Sequence, residues 1–550
     1  MRCRRHSACE RALPYRRDDP RRGVDRRVAG AASRPAPAGK KQTEHRNSAP
    51  DPDCFEPPLN HATTLAAATQ AWQGEAPSEY PESTGCGTLL MTLQAILLII
   101  TLAAAPSGQI TERVVCETDP TYSYALFLPP GYTSQKRWPV VFLMDPRGRA
   151  MVPMNLFSAA AGRRGYILIS SYDTRSDGPA EVNVKALSAL LPETERRYPV
   201  DPRRLYLAGF SGTARAAWVF ATSLKGHVAG IIGFGGGFPP EFTPTPNPGF
   251  VFFGGAGTTD FNYEEMLALD MRLQRLGMPH RFRPYPGSHS WGTEEICSEA
   301  IDWMEIQAIR AGLRDGDNTL VAEFFSQSTT RAHASETGGR TLDAAVRLRE
   351  TAADLEGLCD LADTIPRAAA LEKLKGFRQA ASQLARHASQ QKAYESRLST
   401  FITKFHAAIP PPALSESLSF LQIDSLKKRA VAQENPDDAL AAQRLLELVA
   451  VHTSYYLPGD YLERKDPGRA LAVLRIAEAI EPDSPGVCMG LARARAQIGQ
   501  KIQALEDLRR AVASGWFDAA GIEADPWLAP LREEAGYREL LDRLKRRVDE

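Results

Sequence analysis

Apolar residues fall in two distinct patterns along the chain. From about residue 120 to residue 285 they come as short unbroken runs between polar, Gly- and Pro-rich stretches. The runs are Tyr122–Leu128, Val140–Met144, Tyr166–Ser170, Leu205–Ala208, Val228–Phe234 and Phe250–Phe253, with a strand-like His280–Tyr285 at the end. Runs this short, with no polar alternation, predict strands buried on both faces, hence a mostly parallel sheet covered by helices. The helices are predicted between them, over Glu181–Arg197, over the stretch ARAAWVFATSL that begins at Ala214, and over Met266–Leu276. After Gly316 the strand pattern stops. Arg367 to Ala408 contains no Pro and one Gly, and Leu371, Leu374, Phe377, Ala380 and Leu384 recur at three and four spacing. That predicts one long amphipathic helix, ended by Pro410, Pro411 and Pro412, with more helix through Leu446.

The last hundred residues repeat themselves. Leu457, Ala470, Leu474 and Ala477 return 34 residues later as Leu491, Ala504, Leu508 and Ala511. A 34-residue period with Ala where helices touch resembles tetratricopeptide repeats. The ending PWLAPLREEAGYRELLDRLKR resembles the caps of such arrays. Two repeats are fewer than such an array needs, so the helices before Val451 are expected to pack as degenerate ones.

The N-terminal segment differs from both parts. Residues 1–88 are rich in Arg, Pro, Ala and Ser and poor in aliphatic residues, a composition that cannot offset its ordering entropy and reads as a disordered basic tail. Leu89 to Ala105 is apolar and uncharged. Starting at Met91, it resembles a signal peptide with small residues at its end. One expectation is therefore a true start at Met91. The alternative is a single-span anchor with the basic tail on the cytoplasmic side. Both put the rest of the chain outside the cytoplasm. The expected divisions are 1–88 disordered (or not translated), 89–108 signal peptide or membrane anchor, 110–312 α/β, 318–450 helical, and 451–550 repeats with a cap.

Length, composition and charge bound the function. At 550 residues the chain exceeds one core, and its 43% apolar and 24% charged residues are ordinary for a globular protein. The formal net charge is zero, so the whole chain makes no electrostatic case for a nucleic-acid partner. The eight Cys include no C-x-x-C pair and no zinc spacing, so no metal site is expected. A disulfide between Cys116 and Cys297 is left open.

The chemistry centres on LYLAGFSGT, Leu205 to Thr213. A buried strand, a Gly-flanked turn with Ser211 at its tip, and a helix together form the layout of a nucleophile elbow. There the N–H of Gly212 would face a developing oxyanion. Two later strand ends supply partners: Asp260 in GGAGTTDFNYEE and His289 in PGSHSW. The order Ser211, Asp260, His289 is the Ser…Asp…His order of α/β hydrolases. Asp145 and Asp173 also follow strands, but they precede the Ser. His280 opens a strand instead of ending one.

VDPRRLYLAGFSGTARAAW, GGAGTTDFNYEEM and YPGSHSW together resemble the α/β-hydrolase esterases grouped with dienelactone hydrolases, feruloyl esterases and polyhydroxybutyrate depolymerases. About 200 of the 550 residues carry the likeness. It implies an α/β-hydrolase fold plus an all-α repeat region, and a serine esterase that takes a small-molecule or polymer ester without a cofactor. The sequence departs from the pattern twice. Thr213 stands where the elbow has Gly, which would widen the helix–strand packing or cost some of it. MDPRGR stands where relatives carry an HGG-type oxyanion loop, so the second donor must come from Arg147 or Gly148, Arg147 being the first choice. These departures support a competing expectation: a weak or inactive scaffold whose repeats bind a protein partner.

Overall fold

A computed structural model describes residues 108–549, apart from positions 240, 241, 243, 244, 246 and 247. The basic segment and the apolar run at 89–105 lie outside the described residues. Eight strands form one sheet: β1 (Ile110–Val115), β2 (Ser123–Phe127), β3 (Trp138–Met144), β4 (Ile167–Ser171), β5 (Val200–Phe210), β6 (Val228–Phe234), β7 (Val251–Gly257) and β8 (His280–Tyr285). Their order is β1-β2-β4-β3-β5-β6-β7-β8. The β1–β2 and β2–β4 pairs are antiparallel and every other pair is parallel.

Side chains alternate across this sheet into two cores. Phe142, Leu207, Ile231 and Phe252 face one way, under α2 (Ala180–Arg197), α3 (Gly212–Ser223) and α4 (Tyr263–Leu276). Val141, Tyr206, Ile232 and Phe253 face the other way, under α1 (Met151–Arg164) and α5 (Glu294–Arg310). Trp218 on α3 and Trp303 on α5 are fully buried, one in each core. This is the mostly parallel, doubly covered sheet of the α/β-hydrolase fold. Cys116 lies in the first core and Cys297 in the second, and both are free, so no disulfide joins them.

The chain order reverses between β3 and β5. One crossover leaves β3 for β4, and the next returns past it to β5. The carboxyl ends of these two strands therefore flank an open crevice, where such sheets bind ligands. Ser211 follows β5 and Asp145 follows β3 at that crevice.

The rest of the chain is helical: α6 (Asn318–Thr337), α7 (Thr341–Asp354), α8 (Thr364–Glu372), α9 (Lys375–Ala407), α10 (Leu414–Phe420), α11 (Ile423–Ala430) and α12 (Pro436–Val451). A π-helical turn (His452–Tyr456) leads into α13 (Leu457–Glu463), α14 (Pro467–Ile480), α15 (Pro485–Gln497) and α16 (Lys501–Ala513). A last group follows: α17 (Ala519–Ala524), a 3-10 turn (Pro526–Leu531) and α18 (Ala535–Asp549). The eight residues of the 34-residue repeat are all buried, at matching places on α13–α14 and α15–α16.

The single long helix expected over Arg367–Ala408 is two helices, broken at Lys373 and Leu374. Leu374 has extended backbone, φ −69° and ψ 150°. The break lets each piece bury its own face. α8 puts Ala368 and Leu371 against Ala344 and Leu348 of α7, whereas α9 buries Tyr394, Leu398, Phe401 and Phe405 in the core shared with α12 to α15.

The edge strand β8 is sealed by charge. Arg281 and Arg283 are almost wholly buried and pair with Glu299 on α5, at 3.3 and 2.6 Å. They also pair with Asp354 and Glu350 on α7, at 2.5 and 2.7 Å. Buried charges are tolerated only when paired in this way. The network joins the sheet to the helical half.

Candidate active site

Ser211 stands on a strained turn. Its φ is 55° and its ψ −125°, a region that non-glycine residues rarely occupy. The turn is held from both sides. Ser211 N–H donates to Phe234 O at 2.8 Å, and Ala214 N–H to Ser211 O at 3.1 Å. Gly209 is required beneath it, because a Cβ there would lie 2.5 Å from Thr213 O.

Thr213 does not loosen the elbow as expected. Its hydroxyl is fully buried and lies 2.5 Å from Met144 O, 2.8 Å from Phe210 O and 3.1 Å from Phe210 N. The side chain that replaces Gly thus knits the end of β3 to the end of β5. Thr213→Ala is expected to cost about 1–3 kcal/mol, because it strands buried backbone polar groups. Urea unfolding of wild type and variant measures this.

Asp260 and His289 arrive on the loops after β7 and β8. Asp260 is fully buried. Its Oδ1 accepts from Asn262 N–H at 2.8 Å and lies 2.9 Å from His289 Nδ1. His289 Nε2 lies 2.9 Å from Ser211 Oγ. With the Nδ1 proton donated to the carboxylate, Nε2 is left to accept the Ser hydroxyl. The imidazole packs against Phe210 and Phe261, with ring centres 4.5 and 4.4 Å away and ring planes tilted by 44° and 38°. Gly235 closes the back of the pair at φ +54°. A Cβ there would lie 2.9 Å from Asp260 Oδ2 and 3.1 Å from His289 Cε1. The structure therefore joins Ser211, His289 and Asp260 in one hydrogen-bonded chain.

The oxyanion side differs from expectation. Gly212 opens α3, so its N–H is among those that a helix leaves without an intrahelical partner. Arg147, expected as the second donor, already gives its N–H to Asp145 Oδ1 at 2.9 Å. Gly148 N–H goes to Asp145 O at 3.1 Å, and Arg149 N–H to Asp145 Oδ1 at 3.2 Å. The physical reason is the buried Asp145, which turns the amides of its own loop inward. Burial pushes its carboxyl up, but hydrogen bonds from Arg149, Trp291 and Arg147 outweigh this and hold it below the usual carboxylate range. Trp291 Nε1 donates to Asp145 Oδ2 at 2.9 Å, so Asp145 also braces the His289 loop.

The other weighed candidates lie elsewhere. Asp173 caps Ser123 N–H at 2.9 Å. His280 pairs with Asp270 at 3.2 Å and with Met278 O at 2.7 Å.

Sequence reasoning missed a neighbour of His289, Glu447 on α12. Its Oε1 accepts the N–H of His289 at 2.9 Å. Burial pushes its carboxyl up to about 8; main-chain donors at His289 and Phe261 oppose this, and Asp260 and Glu481 reinforce it. The available signal was a lone carboxylate in the apolar stretch LLELVAV, Leu445 to Val451. The sign of the pH dependence follows. The unfolded chain loses this proton near 4.5 and the folded chain near 8, so wild type loses stability as pH rises between those values. Glu447→Gln removes that loss. It is expected to match wild type at pH 4 and to be more stable at pH 9 by roughly 2–4 kcal/mol, read by denaturant unfolding at both pH values.

No family model and no curated protein matches the chain. Solved structures similar to it include FphF, a fluorophosphonate-binding serine hydrolase of Staphylococcus aureus. That likeness has 15% identity and a TM-score of 0.30, and covers 36% of this chain and 99% of that one. A ferulic acid esterase is similar at 15% identity and TM-score 0.28, over 35% of this chain and 94% of that one. Est1E from Butyrivibrio proteoclasticus is similar at 13% identity and TM-score 0.29, over 36% and 97%.

Proposed function

We propose that the chain is a serine hydrolase of carboxylic esters. One observation carries the reading: Ser211, on a strained elbow, is linked through His289 to the buried Asp260 by two contacts of 2.9 Å. A Ser hydroxyl is a weak nucleophile until a base takes its proton. In the proposed reaction Ser211 Oγ bonds to the ester carbonyl carbon as His289 Nε2 takes the hydroxyl proton. Asp260 stabilises the imidazolium, and Gly212 N–H donates to the oxyanion. The tetrahedral intermediate collapses, the C–O bond to the alcohol breaks, and His289 returns its proton to the leaving oxygen. Water, deprotonated by the same imidazole, then cleaves the acyl-enzyme and restores Ser211.

No cofactor enters this scheme. The helical half is read as tetratricopeptide-like, either offering its repeats to a protein partner or serving only to stabilise the hydrolase or orient a dimer. The chain is read as exported, or tethered by residues 89–105. Among the described residues no helix is long and apolar enough to cross a membrane. N-terminal sequencing of the natural protein tests the start. A terminus at or after Met91 fits cleavage or the later start; one upstream contradicts the later start.

A second reading, a catalytically silent scaffold, is favoured by the inward turn of the amides at 147–149. A missing oxyanion donor typically costs about 100- to 1,000-fold. The full chain is therefore expected to turn over activated p-nitrophenyl acetate well above background and unactivated ethyl acetate far more slowly. Background rates on a panel of short-chain p-nitrophenyl esters would favour the scaffold.

A further inference from the structure

The loops that carry the acid and the base are both gripped by helices from the C-terminal half. Glu447 Oε1 on α12 accepts from His289 N–H at 2.9 Å, across 158 residues of sequence. Gln391 on α9 donates to Phe261 O at 2.9 Å. Arg444, one turn before Glu447, donates to Thr258 O at 3.0 Å and pairs with Glu264 at 3.0 Å. Phe261 itself packs into the helical core. Acid loop and base loop are also tied to each other, by Thr259 N–H donating to Gly287 O at 2.9 Å.

We infer that the helical half completes the active site, with Glu447 as a positioning residue that sets where the His289 imidazole stands against Ser211. The inference rests on the ester-hydrolase reading. Three features separate this role from simple packing. The amide held is that of His289 itself, so the backbone from which the imidazole projects is fixed directly. The helical half also holds Phe261, whose carbonyl accepts from Gln391 at 2.9 Å and whose ring lies 4.4 Å from the imidazole. The carboxyl is also costly to keep there. It faces Asp260 and Glu481, its Oε2 is buried without a partner, and the nearest cation on its own helix, Arg444, is committed to Glu264. A carboxyl whose only task was to fill space would be better replaced by Leu.

The test compares the full chain with E447Q, E447D and E447A on p-nitrophenyl acetate, each normalised to the fraction of Ser211 that a fluorophosphonate labels. The Gln oxygen can accept the same His289 amide. The Asp carboxyl keeps the acceptor group but falls one methylene short. The expected result is a kcat loss of roughly 100-fold in E447D and E447A, KM within about threefold, and recovery of most of kcat in E447Q. Wild-type kcat in E447D and E447A overturns the inference and leaves the hydrolase reading intact. An equal loss in E447Q and E447A also overturns it, since hydrogen-bond acceptance would then not be the role. A wild-type chain that neither turns over ester nor takes the label overturns the hydrolase reading, and the inference with it.

Discussion

Ester turnover is expected to fall by the same factor, roughly a millionfold, whether Ser211, His289 or both are replaced by alanine. The equality matters more than the size. Ser211 Oγ and His289 Nε2 lie 2.9 Å apart and share one proton, so each is useless without the other. Removing the second member of such a pair after the first costs almost nothing. Two independently acting groups would instead show additive losses. The activity left should equal that of Gly212 N–H and substrate binding alone. The three variants should fold normally, because the turn is held by main-chain bonds through Phe234 O and Ala214 N, which these side chains do not make. Initial rates on p-nitrophenyl acetate, with thermal unfolding as the folding control, give the result.

Asp260→Asn is expected to lower kcat by about 10⁴-fold with little change in KM. The carboxylate accepts both Asn262 N–H and the His289 Nδ1 proton at Oδ1, at 2.8 and 2.9 Å. It therefore fixes the tautomer that leaves Nε2 free for Ser211. An amide that turns its NH₂ toward Nδ1 selects the opposite tautomer, whose Nε2 carries a proton and cannot take another. The main-chain frame of the loop remains, since Asp260 N–H bonds to Gly257 O at 3.0 Å and Tyr263 N–H to Asp260 O at 3.0 Å. The loss should therefore appear in kcat and in the rate of fluorophosphonate labelling, and not in the unfolding temperature. Equal labelling rates in wild type and variant would contradict the role given to Asp260.

What the sequence disclosed follows from its physics. Central parallel strands are apolar on both faces, so VAGIIGF and VVFLM stood out, and β6 matches its expected span. β1 was missed because ITERVV is a half-exposed edge strand with charged residues, in which little apolar surface is buried. The extension of β5 back to Val200 was missed because its first part, DPRR, is polar. The break between α8 and α9 was hidden because both pieces are amphipathic and the period ran on through it. Ser211, Asp260 and His289 were legible because each sits at a strand end in a fixed order. The direction of the Arg147 amide was not, because it is set by a buried carboxylate two residues earlier and not by the side chain of Arg147. Glu447 was not, because its partner lies 158 residues away and only the packing of the helical half brings them together.

The measurement that bears most directly on the central claim is fluorophosphonate labelling of the full chain, followed by digestion and mass mapping of the modified peptide. The account predicts one adduct, on Ser211, that is lost in Ser211→Ala and greatly slowed in His289→Ala. An unlabelled chain, or an adduct on another residue that survives Ser211→Ala, would contradict it.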